Sequence, residues 1–232
     1  RKSVEPMAAR VAPADTQQLH HFVSTSPWAT APLEDELVKA ADRLVGGADA
    51  VLVIDDTALV KQGRHSVGVK RQYCGQLGKT ANCQSLVSLT LARSEVPVCV
   101  GLRLFLPEDW CGDAERRAAV GVPEAIGYRP KWKIALNEID RVLASGARCG
   151  CVLADAEYGK AAEFRAGLAE RRLSYAVGIL PMQKVYPADV TLAFPERKAT
   201  GRPCQHPVPS LASVAAAELI EDRPAAFRII SW

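Results

Sequence analysis

The sequence predicts an α/β domain built on a mixed sheet: three antiparallel strands, then a parallel β-α-β-α-β run, with flanking helices. Three observations predict it. A short, wholly apolar run, Val51-Leu52-Val53-Ile54, ends in Asp55-Asp56, the pattern of a central strand buried on both faces. Two more β-rich runs follow it before any strongly periodic helix. Helical and strand patterns then alternate from Lys131 to Leu180.

Residues 1–49 read as a helical segment. Leu19, Phe22 and Val23 suggest one short amphipathic helix, and Leu33, Leu37, Ala40, Ala41 and Leu44 a second after Pro32. Gly46-Gly47 stops the second. The core spans residues 50–180. After the strand 51–54, residues 57–82 lack clean periodicity and are rich in Gly and Lys/Arg, so they read as a long, partly ordered excursion. Strands are expected over Leu86–Leu91 and Val98–Leu106, completing an antiparallel meander. Lys131–Leu143 carries a helical stripe of Ile134, Leu136, Ile139, Val142 and Leu143, with Gly146 as its stop. Cys149–Ala154 is a strand that delivers Asp155, Ala161–Arg171 a helix, and Tyr175–Leu180 the last core strand. Prolines break the partial C-terminal region, 181–232, repeatedly. Within it Ser210–Leu219 reads as an Ala-rich helix and Phe227–Trp232 as a strand.

Composition is that of an ordinary globular protein, 48% hydrophobic and 24% charged. No apolar run approaches the roughly 20 residues of a membrane-spanning helix. The start, Arg1 to Pro6, is followed by no apolar stretch, so no secretory signal is read and a cytoplasmic location is expected. The absence of an initial Met suggests residues upstream. A net charge of +3 says little about partners. Its distribution says more: Thr57 to Asn82 holds no acid but carries Lys61, Arg64, Lys70, Arg71 and Lys79. Such a segment attracts polyanions, although a solvated loop can be basic without a partner. The seven cysteines are odd in number and irregular in spacing, which argues for buried free thiols. Neither Cys149-Gly150-Cys151 nor Cys204-Gln205-His206 completes a zinc site.

The element order β-β-β-α-β-α-β is the outline of a ribonuclease H-like core. By analogy with that fold, its first and fourth strands lie side by side and parallel. Their ends would then bring Asp55 or Asp56 beside Asp155. Clustered carboxylates repel unless a cation lies between them, and Mg²⁺ or Mn²⁺ suits such hard oxygen ligands. Metal-assisted attack on a phosphodiester follows as the expected chemistry. Each Asp taken singly is equally a turn or helix-cap residue. A phosphatase with an Asp nucleophile would want its second Asp two positions after the first, where Thr57 stands.

These residues also carry a family resemblance. Ile54-Asp55-Asp56-Thr57, Lys61 to Val69, Arg71 to Lys79, Asn82-Cys83-Gln84, Leu104-Phe105-Leu106-Pro107, Trp110, Arg116-Arg117, Gly121-Val122-Pro123 and Ala154 to Gly159 resemble insertion-sequence transposases of the IS701 type, members of the DDE superfamily. The resemblance implies a double-stranded DNA substrate, the inverted-repeat element ends and the target. It further implies Mg²⁺ or Mn²⁺ as cofactor, and a homodimer in the complex with DNA. It places the first catalytic, metal-binding Asp on Asp56, from the Asp-Thr that ends the first strand, and the second on Asp155. Strand pleating leaves Asp55 as a competitor. Lys61, Arg64, His65, Lys70, Arg71, Lys79, Arg116, Arg117 and Lys131 are DNA-binding candidates, through phosphate contacts. His65 reads as a loop hydrogen-bonding residue, Trp110 and Tyr73 as packing residues, and Tyr158-Gly159 as the turn into the next helix.

The family's third acid, a Glu on a later helix amid basic and acidic residues, has no counterpart here. Glu218 and Glu221 lie in surroundings of another kind, and Glu157 is no assumed replacement. That Glu is therefore expected beyond Trp232, and the 232-residue piece alone is expected to be inactive. A non-catalytic DNA-binding regulator or transposase remnant with the same fold is the alternative.

Overall fold

A computed structural model describes residues 4–11, 15–27, 29–187, 189–195 and 204–222. Three helices come first: α1 (Val4–Val11), α2 (Thr16–Ser24) and α3 (Ala31–Val45). Asp15 caps α2 by accepting the Gln18 N–H at 3.1 Å. Helix α3 starts at Ala31-Pro32, where a missing N–H costs nothing, and ends at Gly46. It docks through Val38, Ala41 and Val45, whereas Leu33, Leu37 and Leu44 are exposed. The expected helix therefore exists and buries Ala41 of the expected stripe, but Val38 and Val45 replace its leucines at the sheet.

Strand β1 (Val51–Val60) runs six residues past its expected end. It stays in register with β3 throughout, from Val51↔Ala92 to Val60↔Cys83. The two acids read as a stop by propensity, but the cross-strand ladder overrides propensity. Strand β2 (Lys70–Cys74) lies inside the expected excursion, and β3 (Lys79–Arg93) is far longer than the apolar run that announced it. A 3₁₀ turn, Gly75–Leu77, joins them, with Gly78 left-handed at φ +61°. Strand β4 (Val96–Leu104) pairs with β3 along the same edge as β2, farther toward the C-terminus of β3.

The short helices α4 (Glu108–Gly112) and α5 (Ala114–Ala119) precede α6 (Lys131–Ala144). Strand β5 (Cys151–Ala154), α7 (Ala156–Gly159), α8 (Ala162–Glu170) and β6 (Tyr175–Val177) complete the core. Sheet order is β2-β3-β1-β5-β6, with β4 also on β3. β1–β5 and β5–β6 are parallel, and β1–β3 is antiparallel. This is the mixed, ribonuclease H-like arrangement the sequence predicted, enlarged by β2.

Leu52, Ile54, Val87, Leu89, Leu91, Val100 and Val152 form one buried sheet face. Against it pack α3, Ala135, Ile139 and Val142 of α6, and Phe164 and Leu168 of α8. Each fully buried Leu, Ile or Phe contributes roughly 1.5–3 kcal/mol of transfer free energy. A second cluster, Val69, Leu106 and Trp110, pins the basic excursion. Trp110 Nε1 donates to the Val69 carbonyl at 2.8 Å, so this indole packs, as expected. Asn82 donates to the Lys61 and Gly63 carbonyls, and Gln84 to that of Val67. The excursion is thus tied down by polar side chains on β3.

Beyond the core, β7 (Lys184–Val185) pairs with β10 (Val214–Ala215), and β8 (Leu192–Ala193) with β9 (Val208–Pro209). Helix α9 (Ala216–Asp222) covers only the end of the expected Ser210–Leu219 helix. Before it, Val214–Ala215 pair with β7 as a strand in place of that helix. The expected strand Phe227–Trp232 lies outside the described residues. All seven cysteines are free, but only Cys74 and Cys83 are buried, so the expectation of buried thiols holds for two. Among the described residues no helix is long and apolar enough to cross a membrane.

Candidate active site

Parallel pairing aligns Val53 with Leu153 and Ile54 with Ala154, so Asp155, at the end of β5, comes beside Asp55, midway along β1. Strand ends of this kind build sites at the sheet rim. Both acids line an open cleft of about 430 Å³ with Val53, Leu153 and Gly178. Asp55 Oδ1 accepts the Asp56 N–H at 2.7 Å. Partial burial holds the Asp55 carboxyl above its ordinary range. The backbone bond opposes that rise, and the negative charges of Asp155 and then Asp56 add to it. Among the described residues no Lys or Arg pairs with Asp55 or Asp155.

Asp56 points the other way, as pleating requires: it stands opposite Val87 on the helix-covered face, while Asp55 stands opposite Ser88. Two donors meet it there. Lys131, the first residue of α6, places its ammonium on Oδ2, and Tyr158 donates its hydroxyl to Oδ1 at 2.6 Å. Tyr158 is buried. Its phenol pKa is pushed far up, first by burial and then by the charge of Asp56, with smaller contributions from Asp155 and Asp55. The hydroxyl therefore remains a donor, and it lies in the field of all three acids.

Asp155 caps α7: its Oδ1 accepts from the Glu157 N–H at 2.9 Å and the Tyr158 N–H at 3.3 Å. A close backbone approach fixes this turn, since a Cβ on Gly159 would lie 1.9 Å from the Gly178 carbonyl oxygen. Glu157 faces away to pair with Lys160 at 2.7 Å. Among the described residues no three Asp, Glu, His or Cys side chains converge as a metal-ligating group. Asp155 thus shares its cleft with Asp55, while Asp56 lies on the other face of β1.

The basic candidates divide. Arg117 is committed to the carbonyls of Cys111, Pro123, Glu124 and Ile126. Arg116 stacks on Trp110, 3.6 Å from the ring centre, and donates to the Arg64 carbonyl. Lys131 serves Asp56, and Lys70 pairs with Asp109 at 3.1 Å. Lys61, Arg64, His65, Arg71 and Lys79 have no acidic partner among the described residues. Tyr73 is 70% exposed, so the packing expected of it is not found. Sequence reasoning missed the Tyr158–Asp56 bond and Lys131 as the counter-ion of Asp56. Only the closeness of Tyr158 to Asp155 along the chain hinted at the first.

All of residues 1–232 match the family described as DDE superfamily endonuclease. Over 181 residues the chain is 33% identical to a Microchaete diplosiphon protein described as a probable transposase for insertion sequence element IS701. That match covers 77% of this chain and 45% of the relative, so the chain spans less than half of the relative's length. Among solved structures it is similar to the Drosophila P element transposase strand transfer complex, at a TM-score of 0.26 and 10% identity. That alignment covers 75% of this chain and 39% of the other, a likeness too distant to bear on the site.

Proposed function

This chain belongs to the DDE superfamily of endonucleases, and on that premise we propose that it is the sheet-bearing core of a DNA transposase. It cuts phosphodiester bonds at insertion-sequence ends and joins them to target DNA, using Mg²⁺ or Mn²⁺. The observation that carries this reading is the sharing of one cleft by Asp55 and Asp155, neither with a basic partner among the described residues, where β5 ends beside β1. Uncompensated carboxylates held together by a fold are a cation site by charge and by ligand hardness.

Asp155 supplies one ligand. Asp56, designated by the Asp-Thr resemblance, supplies the other, and the ammonium of Lys131 seated on it marks a position that attracts cations. A second reading takes Asp55 instead, supported by the shared cleft and its raised carboxyl pKa. When bound, the cation polarises the phosphodiester and lowers the pKa of an attacking water. The chain's own residues hold and orient: Tyr158 fixes Asp56 by its hydroxyl, α7 fixes Asp155, and Lys61, Arg64, Arg71 and Lys79 hold the DNA backbone. We place the third carboxylate beyond Trp232, and the protein in the cytoplasm, pairing two double-stranded element ends as a homodimer.

The test uses protein extended beyond Trp232 and supercoiled DNA carrying the sequences that flank its gene. Nicking should require Mg²⁺ or Mn²⁺ and fall to background in Asp155→Asn. Of Asp56→Asn and Asp55→Asn, the one that abolishes Mn²⁺ binding names the second ligand. Full nicking by Asp155→Asn would sink the assignment. DNA binding without nicking by the extended wild type would favour the non-catalytic regulator.

A further inference from the structure

We infer that the outer flank of α3 is an interface between two copies of this chain, each covering the other's α3 with its own, antiparallel about a two-fold axis. The pairing needs no DNA and stands whether or not the DNA-processing reading does.

Helix α3 docks on the sheet through Val38, Ala41 and Val45 and leaves Leu33, Leu37 and Leu44 exposed at 59%, 43% and 67%. With the half-buried Ala40, these leucines recur at spacings of four, three and four residues, the a/d repeat of a two-helix seam. The seam is about 16 Å long at 1.5 Å of rise per residue. Single exposed leucines are ordinary on a surface, but three along one line of one helix mark a contact. Antiparallel pairing sets Leu33 against Leu44 of the partner subunit and Leu37 against Ala40 of the partner subunit. Small then faces large, which lets the two helices interdigitate.

Charge selects both the partner and the direction. Within the chain, Glu34 bonds Arg103, Asp35 accepts from Ser145 and Asp42 holds Arg148. Those three acids are committed. Glu36 and Arg43, which border the seam on its solvent side, are not committed to the fold. Glu36 pairs with Lys39 of its own helix at 2.7 Å, with side chains 64% and 50% exposed. Arg43 is exposed and has no acidic partner among the described residues. In the antiparallel pair, Glu36 comes within side-chain reach of Arg43 of the partner subunit, offset by about 3 Å along the axis. The two-fold axis repeats that contact. A parallel pair would instead align acidic turn with acidic turn. The flank is therefore self-complementary in one direction only, as a two-fold interface requires. A single helix pair buries less than the roughly 800 Å² per partner of a standard complex, so the dimer is a weak one. Its exposed ion pairs direct the pairing more than they strengthen it.

The experiment is sedimentation velocity of the whole chain without DNA, from about 1 to 300 µM, a range that spans a micromolar Kd. The mean mass should climb from monomer toward dimer across it. Leu44→Lys should hold the mass at monomer with an unchanged circular dichroism spectrum, because that side chain is mostly solvent-exposed in one copy. Glu36→Lys and Arg43→Glu should each weaken association about ten-fold, since each sets like charges together twice in the dimer. Combining the two substitutions should recover the wild-type affinity, which a mere loss of folding does not do. A wild-type chain that stays monomeric throughout overturns the interface. So does a dimer that survives Leu44→Lys, or a double variant no stronger than the single ones. A dimer that binds no duplex leaves the interface standing and counts against the DNA reading alone.

Discussion

Tyr158 donates its hydroxyl to Asp56 at 2.6 Å across 102 residues of sequence, and its own backbone N–H to Asp155 at 3.3 Å. One tyrosine thus ties the middle of β1 to the cap of α7. Tyr158→Phe removes the O–H donor on Asp56 and leaves the ring packed on Phe164. A hydrogen bond to a charged group contributes roughly 1.5–3 kcal/mol, and urea unfolding should show a loss in that range. A loss below about 0.5 kcal/mol would mean that the bond does not hold the site.

Lys131→Met leaves Asp56 with a hydroxyl partner and no counter-charge. The variant should melt lower than wild type in chelator. Added Mn²⁺ should then raise its melting temperature by more than it raises that of the wild type, because the ion no longer competes with an ammonium. An equal or smaller Mn²⁺ response would place the cation away from Asp56.

Asp55 gives a pH test with a defined sign. Its carboxyl is raised in the fold, chiefly by partial burial, with Asp155 adding. The folded state therefore holds this proton more tightly than the unfolded state, and the group's contribution to stability falls as pH rises from the ordinary value of 3.8 through the raised one. Asp55→Asn should raise the melting temperature at pH 7 relative to wild type, and the gain should vanish below pH 3.8. A gain that is independent of pH would assign it to something other than charge.

A half-buried ion-pair group stands under the sheet. Arg103 bonds Glu34 and, at 2.7 Å, Glu138, while Arg141 bonds Glu138 at 2.9 Å and the Val100 carbonyl at 2.8 Å. It clamps α3 and α6 onto β4. Gly101 leaves room for it, since a Cβ there would lie 3.3 Å from Arg141 and Glu138. Arg103→Met should cost roughly 3 kcal/mol, the lower end for a broken buried pair, because the arginine is 33% exposed. Near-neutral stability in denaturant titration would show that Arg141 alone suffices for Glu138.

Two arginines among the DNA-binding candidates should separate cleanly. Arg71→Ala should leave stability unchanged, weaken duplex binding and reduce the salt dependence by about one phosphate contact. Arg117→Ala should do the reverse, lowering the melting temperature because four carbonyls lose their donor. Equal loss of affinity in both variants, with both stable, would contradict this division.

Much of this was legible in the chain. Apolar run, acid pair and alternating second half sufficed for the element order, and analogy with the ribonuclease H fold supplied the parallel seating of β1 beside β5. The same signals failed where neighbours decide. β2 has no apolar alternation and exists because the long strand β3 offers it an edge. The docking face of α3 went to Val38, Ala41 and Val45 over the larger leucines, because close approach outweighed side-chain size. Tyr73 carries no periodic signal, and its exposure follows from β2 alone.

The sequence by itself determined that acids would follow directly on two apolar strand runs, since local pattern is written residue by residue. Only the tertiary structure decided which way each acid faces and what meets it. Asp55 turns to the cleft with Asp155, and Asp56 to Lys131 and Tyr158. The pleat of β1 sets that division, and partners 75 and 102 residues away along the chain fix it, at separations that no local pattern encodes.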